Sequence, residues 1–137
     1  MHAEVYSRFV QELVPDRGVQ DRLFASINSN PVIQAKADWC ERWINSTAAS
    51  FGARLVAFAI VEGVFFSSSF AAIFWLRMRG LMPGLVHANS MISRDEGSHV
   101  RFACLLYSLL RQRVEREEVY GMLREAVAIE RAFFAGK

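Results

Sequence analysis

The stretch from Leu55 to Leu76 constrains the fold most, because it is almost entirely apolar and carries a single charge, Glu62. A segment of this length and composition is either a membrane span or the central helix of a bundle. The carboxylate lies near its middle, where a charge in a bilayer is costly, and the serines Ser67 to Ser69 follow it. No aromatic belt or one-sided basic flank frames the stretch. We therefore expect the core helix of a soluble bundle and no membrane association.

The rest of the chain also predicts helices, since apolar residues recur at helical spacing and no β-alternation competes. Pro15, Pro31 and Pro83 read as breaks between helices, with Asn30 as the N-cap of the helix that Pro31 begins. We expect residues 50–79 to form one helix of roughly 45 Å, which the serine hydroxyls distort locally by bonding back to carbonyls. The fold class is all-α, a helical bundle within a single domain, 1–137. The predicted helices are 2–14, 19–28, 31–46, 50–79, 85–112 and 115–135.

Composition excludes several other classes of protein. The chain has 137 residues, of which 53% are apolar, enough for one core. Its net charge is +2, with acids and bases mixed, so nothing resembles a nucleic-acid-binding patch. Cys40 and Cys104 show no CxxC spacing, and the N-terminus has no apolar signal core. A cytoplasmic location is the simplest expectation.

A buried carboxylate such as Glu62 requires a basic partner, a shifted pKa or a metal ion. Arg54 and Arg77 are the nearest candidates for a plain ion pair. A more specific partner stands in the next long helix, where Glu96 and His99 are spaced i and i+3 and so leave the same face. Glu-x-x-His pointing inward is the metal-binding unit of ferritin-like di-iron bundles. Carboxylate oxygens with imidazole nitrogens suit iron or manganese.

Bulky apolar and aromatic groups share the helix faces of these candidate ligands. The groupings by spacing are Glu62 with Phe66 and Phe70, Ile92 with Glu96 and His99, and His2 with Tyr6.

The segments MHAEVYS, KADW, VEGVFFSSSFAAIFWL, RGLMPGL and ISRDEGSH, in this order, resemble the small subunit of class I ribonucleotide reductase. The resemblance runs from residue 1 to about 134. It implies a ferritin-like di-iron bundle that oxidises a tyrosine to a stable radical. The radical then serves the large subunit, which reduces ribonucleotides to deoxyribonucleotides. Implied partners are a second copy, forming a homodimer, and the large subunit. The implied cofactor is iron, two ions per subunit in the complete protein, with manganese as the alternative.

Carried over residue by residue, the resemblance implies three sets of site residues. Tyr6 matches the radical-bearing tyrosine, and Asp95 matches the carboxylate that bonds His2 and belongs to the electron-transfer path. The implied metal ligands are His2, Glu62, Glu96 and His99, and the implied radical pocket is Phe66, Phe70 and Ile92.

The sequence departs from the family pattern at its ends. A complete site of this kind uses six ligands, two Glu-x-x-His units and two further carboxylates, and only four are found here. The Glu that should precede His2 by three residues would lie before Met1, and the C-terminal docking tail is missing. We therefore expect an internal fragment with an incomplete bundle that is inactive alone. The alternatives are a truncated homologue acting as a non-catalytic interaction module, and a related di-metal oxidase, although some of these lack a tyrosine at the Tyr6 position.

Overall fold

A computed structural model describes residues 2–136, with the side chain of residue 27 excepted, and every regular element in that range is helical. The all-α prediction is confirmed, and helix bounds fall within a few residues of those expected. The elements are α1 (His2–Leu13), α2 (Arg17–Ser29), α3 (Pro31–Ile44), α4 (Phe51–Ile60), a π-helical segment (Val61–Phe65), α5 (Ser67–Met78), α6 (Pro83–Ser108) and α7 (Arg116–Ala135).

Side-chain caps fix where several of these helices begin. The Asn30 side chain accepts hydrogen bonds from the backbone N–H groups of Val32 and Ile33, and Pro31 occupies the first turn of α3, as predicted. Ser50 caps α4 in the same way by accepting from the N–H of Ala53. Such caps satisfy donors that a helix start leaves without an intrahelical partner.

The predicted continuous helix 50–79 is wrong in one respect, because Val61–Phe65 winds as a π-helix between α4 and α5. We call this stretch the π segment. The expectation that serines distort the helix is met only in part, since the irregularity begins at Val61 and precedes them. Ser67 does donate a hydrogen bond back to the carbonyl of Val64, at 2.7 Å. The altered winding contains Glu62, so it sets the direction in which that carboxylate points.

The core lies where α3, α4, the π segment and α7 meet. Trp39 is fully buried and meets the Phe65 ring edge-on, with centroids 5.2 Å apart. An 18-residue window within Phe51–Met78 has a mean hydropathy of 1.9, so the run could cross a membrane by length and composition alone. Here it packs against α3, α6 and α7, with 17% of that window buried. The fully or nearly fully buried cluster comprises Trp39, Ala57, Ile60, Phe65, Met122 and Ala126.

Candidate metal centre

Two helical elements bring acids and an imidazole together at one point. The π segment supplies Glu62, and α6 supplies Glu96 and His99, so that each offers a ligand atom within 4.8 Å of the others. His99 Nδ1 lies 2.9 Å from Glu96 Oε2 and 3.4 Å from Glu62 Oε2. The ion pair described for Glu62 is therefore with His99 and not with Arg54 or Arg77.

His2, at the start of α1, extends this cluster. Its Nδ1 lies 2.8 Å from Glu96 Oε1, and its Nε2 lies 3.2 Å from Asp95 Oδ2. The imidazole is thus held between two consecutive acids of α6. Its ring also stacks against that of His99, with centroids 6.5 Å apart. His2 therefore adjoins the group through Glu96, whereas only Glu62, Glu96 and His99 bring their ligand atoms to one point.

Burial and crowding of like charges perturb the acids. Burial, followed by the hydrogen bond and negative charge of Glu96, raises the pKa of Glu62 to about 7. Burial alone would raise the pKa of Glu96. The hydrogen bonds with Glu62, His2 and His99 outweigh burial, so the pKa of Glu96 is lowered. Hydrogen bonds that His99 donates to Glu96 and Glu62 raise the pKa of His99. Below about pH 7 the metal-free protein therefore favours the protonated form of Glu62, which lowers the cost of burial and limits repulsion between neighbouring carboxylates.

The donor chemistry of this cluster fits a metal ion. A cation would replace the proton on Glu62 and offset the burial and the repulsion that raise its pKa. Carboxylate oxygens and neutral imidazole nitrogens are ligands for iron, manganese and zinc alike. The group Glu62, Glu96 and His99 could therefore hold a metal.

Tyr6 lies one helical turn after His2 and borders a cavity of about 610 Å³. Its hydroxyl donates to Asn89 Oδ1 at 3.1 Å. Burial and the charge of Glu96 both raise the Tyr6 pKa. The three apolar residues expected around the tyrosine do line this cavity, and Ser69 and Ile73 join them. The complete lining is His2, Ala3, Tyr6, Phe66, Ser69, Phe70, Ile73, Ile92 and Glu96.

Asn89 is the site residue that the sequence interpretation missed. It is fully buried, and its Nδ2 donates to the carbonyl of Phe70 at 3.4 Å while Oδ1 accepts from Tyr6. A signal was present, because Asn89, Ile92 and Glu96 follow one another at helical spacing and therefore share a face. A polar amide on the face that carries the ligands had to find buried partners.

The chain matches one protein family along nearly its whole length. The profile described as "Ribonucleotide reductase, small chain" matches residues 1–136. Among curated proteins, the chain is 53% identical to a ribonucleoside-diphosphate reductase small chain of Nicotiana tabacum, covering 97% of its own length and 40% of the relative's. It is 55% identical to a second plant small chain, from Arabidopsis thaliana, with 97% and 39% covered, and 48% identical to the small chain of Variola virus, with 97% and 41% covered.

A solved structure resembles the fold equally well. The structure of a ribonucleotide reductase homodimer from Saccharomyces cerevisiae aligns with a TM-score of 0.88 and 37% sequence identity. The alignment covers 98% of this chain and 42% of that one. The expected ferritin-like helical fold is thereby confirmed. The chain spans about two fifths of the length of the curated relatives it matches.

Proposed function

Because the chain belongs to the family of ribonucleotide reductase small chains, we propose that it forms part of the radical-generating subunit of a ribonucleoside-diphosphate reductase. Its role there is to support reduction of ribonucleotides to deoxyribonucleotides. The observation that carries this proposal is the convergence of Glu62, Glu96 and His99 on one point. The presence of Tyr6 beside that point favours the reductase over a related di-metal oxidase.

The proposed cofactor is iron, held by His2, Glu62, Glu96 and His99, with manganese as an alternative of the same donor preference. When bound, iron supplies the activation of oxygen that oxidises the tyrosine. Four ligands are fewer than the six of a complete di-iron site. We therefore propose that this stretch provides its share of the centre and is insufficient for the full reaction.

Asp95 orients His2 in this scheme. When Nε2–H of the imidazole donates to Asp95 Oδ2, Nδ1, which lies 2.8 Å from Glu96 Oε1, is the nitrogen that would bind a metal ion beside Glu96. Carboxylates in this position fix the ring orientation of metal-ligating histidines and raise their basicity. The same contact would place Asp95 on the path along which the electron travels.

The chain's own side chains would protect and serve Tyr6. Phe66, Phe70 and Ile92 supply apolar surface to the tyrosine cavity, which disfavours water there. Oxidation of the tyrosine removes one electron and the phenolic proton. Asn89 Oδ1 accepts a hydrogen bond from the hydroxyl of the resting phenol and so holds the phenol oxygen in position before oxidation.

The proposed partners are a second copy of the chain and the large subunit. Dimerisation is supported because the S. cerevisiae relative was solved as a homodimer. The large subunit follows from the proposed reaction, and the cytoplasm is the compartment we propose. Cys40 and Cys104 are free thiols in the described structure, which agrees with a reducing compartment.

A titration of the metal-free chain with Mn²⁺, followed by the loss of the free-ion electron paramagnetic resonance signal, tests the metal site. We expect Glu62→Gln and His99→Gln each to weaken binding at least about tenfold, or 1.4 kcal/mol. The matched control is Glu118→Gln, an exposed acid of α7, which should bind like the unmodified chain. Equal affinity in all four proteins would refute the metal site and leave the non-catalytic interaction module.

A further inference from the structure

The junction between the π segment and α5 leaves backbone groups that their own helices do not satisfy. Phe66 occupies the N-cap position of α5 and has no side chain that can accept a hydrogen bond. The first N–H groups of a helix have no intrahelical partner and need an acceptor from elsewhere. The missing acceptor comes from another helix.

Glu130 of α7 takes the place of the N-cap. Its Oε1 accepts from the backbone N–H of Ser68 at 3.0 Å, which is the bond that a capping side chain would make. The same oxygen accepts from the hydroxyl of Ser68. Glu130 is only 6% exposed, so its charge is stabilised by these donors and by one cation.

That cation is Lys36 of α3, which satisfies the other side of the junction. Its Nζ donates to the carbonyl of Phe65 at 2.7 Å and lies 2.5 Å from Glu130 Oε2. It also lies 3.6 Å from the ring centroid of Phe133, within the range of a cation–π contact. Both members of the ion pair are largely removed from solvent.

The charges are placed according to the polarity of the two helical pieces. The ammonium faces the last carbonyl of the π segment, and the carboxylate faces the first N–H groups of α5. Cations are favoured at helix C-termini and anions at N-termini. Swapping the two charges would place the anion at the C-terminal end of the π segment and the cation at the N-terminal end of α5, where each is unfavourable. The pair therefore stabilises the junction in addition to joining α3 to α7.

We propose that Lys36 and Glu130, together called the clamp, are positioning residues. They hold the π segment in its π-helical winding and thereby fix the direction of Glu62. A buried ion pair is often no more stabilising than well-packed apolar residues of the same volume, so holding α3 to α7 does not by itself require one. Without the clamp, the Phe65 carbonyl and the Ser68 N–H lose their partners. The stretch is then free to change between π-helical and α-helical winding, which opens its amides transiently and rotates Glu62 away from Glu96.

A second ion pair between the same two helices provides the matched control. Arg42 of α3 lies 2.6 Å from Glu125 of α7, and both side chains are about half exposed. The Arg42–Glu125 pair bridges α3 and α7 as Lys36–Glu130 does, but its hydrogen bonds involve no group of the junction. Arg42→Met therefore removes an α3–α7 bridge and leaves the clamp intact.

Amide hydrogen exchange of the full metal-free chain tests the clamp. In Lys36→Met, and in Lys36→Met/Glu130→Leu where no charge is left alone, we expect residues 61–68 to exchange at least about tenfold faster. In these variants the exchange rates of residues 100–108 should equal those of the unmodified chain. In Arg42→Met the exchange rates of residues 61–68 should also be unchanged. The charge-swapped variant Lys36→Glu/Glu130→Lys keeps an ion pair. Its amides at residues 61–68 should nevertheless exchange faster than those of the unmodified chain. Uniform acceleration in all regions, or normal exchange in either double variant, would overturn the proposal.

The consequence for the metal site rests on the proposed function and is measured separately. By Mn²⁺ titration, the Lys36→Met/Glu130→Leu chain should bind at least about tenfold more weakly than Arg42→Met. If the unmodified chain binds no Mn²⁺, the proposed function fails while the exchange data still decide the clamp. If exchange accelerates at 61–68 but Mn²⁺ affinity is unchanged, the assigned link from the clamp to Glu62 is wrong.

Discussion

The hydrogen bond between Tyr6 and Asn89 can be measured by a double-mutant cycle. Asn89→Leu keeps the approximate size of the side chain but leaves the Tyr6 hydroxyl and the carbonyl of Phe70 without the amide. Tyr6→Phe leaves Asn89 Oδ1 unpaired in a fully buried position. An unsatisfied buried polar group costs about 1–3 kcal/mol. Because the double variant removes both partners, most of that penalty disappears.

The structure sets the expected size of the coupling. Asn89 is completely buried, whereas Tyr6 is only partly so, which lets water replace some of the lost bond at the phenol. A neutral hydrogen bond contributes about 0.5–1.5 kcal/mol net. We expect the double variant to be more stable than the sum of the two single changes predicts, by about 1 kcal/mol.

Urea unfolding of the four proteins, followed by circular dichroism, gives the cycle directly. The control cycle pairs Asn89→Leu with Tyr120→Phe, since Tyr120 is 41% exposed and bonds only Arg116 among the described contacts. That control should be additive within about 0.3–0.5 kcal/mol. Additivity of the Tyr6 cycle within the same limits would refute the assignment of Asn89 as the hydrogen-bond acceptor of the Tyr6 hydroxyl.

Two further predictions concern pH and the core. In the metal-free protein the pKa of Glu62 is raised from 4.5 to about 7, so the fold prefers its protonated form. The contribution of Glu62 to the free energy of unfolding is therefore full below pH 4.5 and is lost as the pH rises through about 7. Urea unfolding from pH 5 to pH 8 should show this decline, and Glu62→Gln should reduce it. Met122→Ala, at a position 1% exposed, should cost about 2–5 kcal/mol by the same assay, and Leu123→Ala, 36% exposed, should cost less.

The order and limits of the helices could be predicted because prolines, caps and apolar spacing are local signals. Asn30 and Pro31 mark the start of α3 in the sequence as clearly as in the structure. The π segment could not be predicted from spacing. Around Glu62 nearly every residue is apolar, so a change in winding shifts which residue faces which neighbour without disturbing any visible pattern.

The candidate site divides in the same way between local and distant partners. The i, i+3 spacing predicts that Glu96 and His99 share a face, and their 2.9 Å contact agrees with it. No spacing rule connects separate helices, so Glu62 was joined to them through its need for a partner and the ferritin-like di-iron pattern, and His2 through the family resemblance. Lys36 and Glu130 were missed because they lie far apart in sequence and each looks, alone, like an ordinary solvated charge.

The attachment of α1 has a consequence for how the bundle opens. Among the described residues of α1 none is fully buried, and its hydrogen bonds to α6 come from His2 and Tyr6. Segments with little buried apolar surface detach at lower free energy than the core to which they are joined. The first helix can therefore detach from α6 while the remaining helices stay folded. Because Tyr6 lies on α1, it would leave the site together with that helix. An ion bound by both His2 and Glu96 would oppose this detachment. Metal binding and the packing of α1 against α6 would therefore stabilise each other.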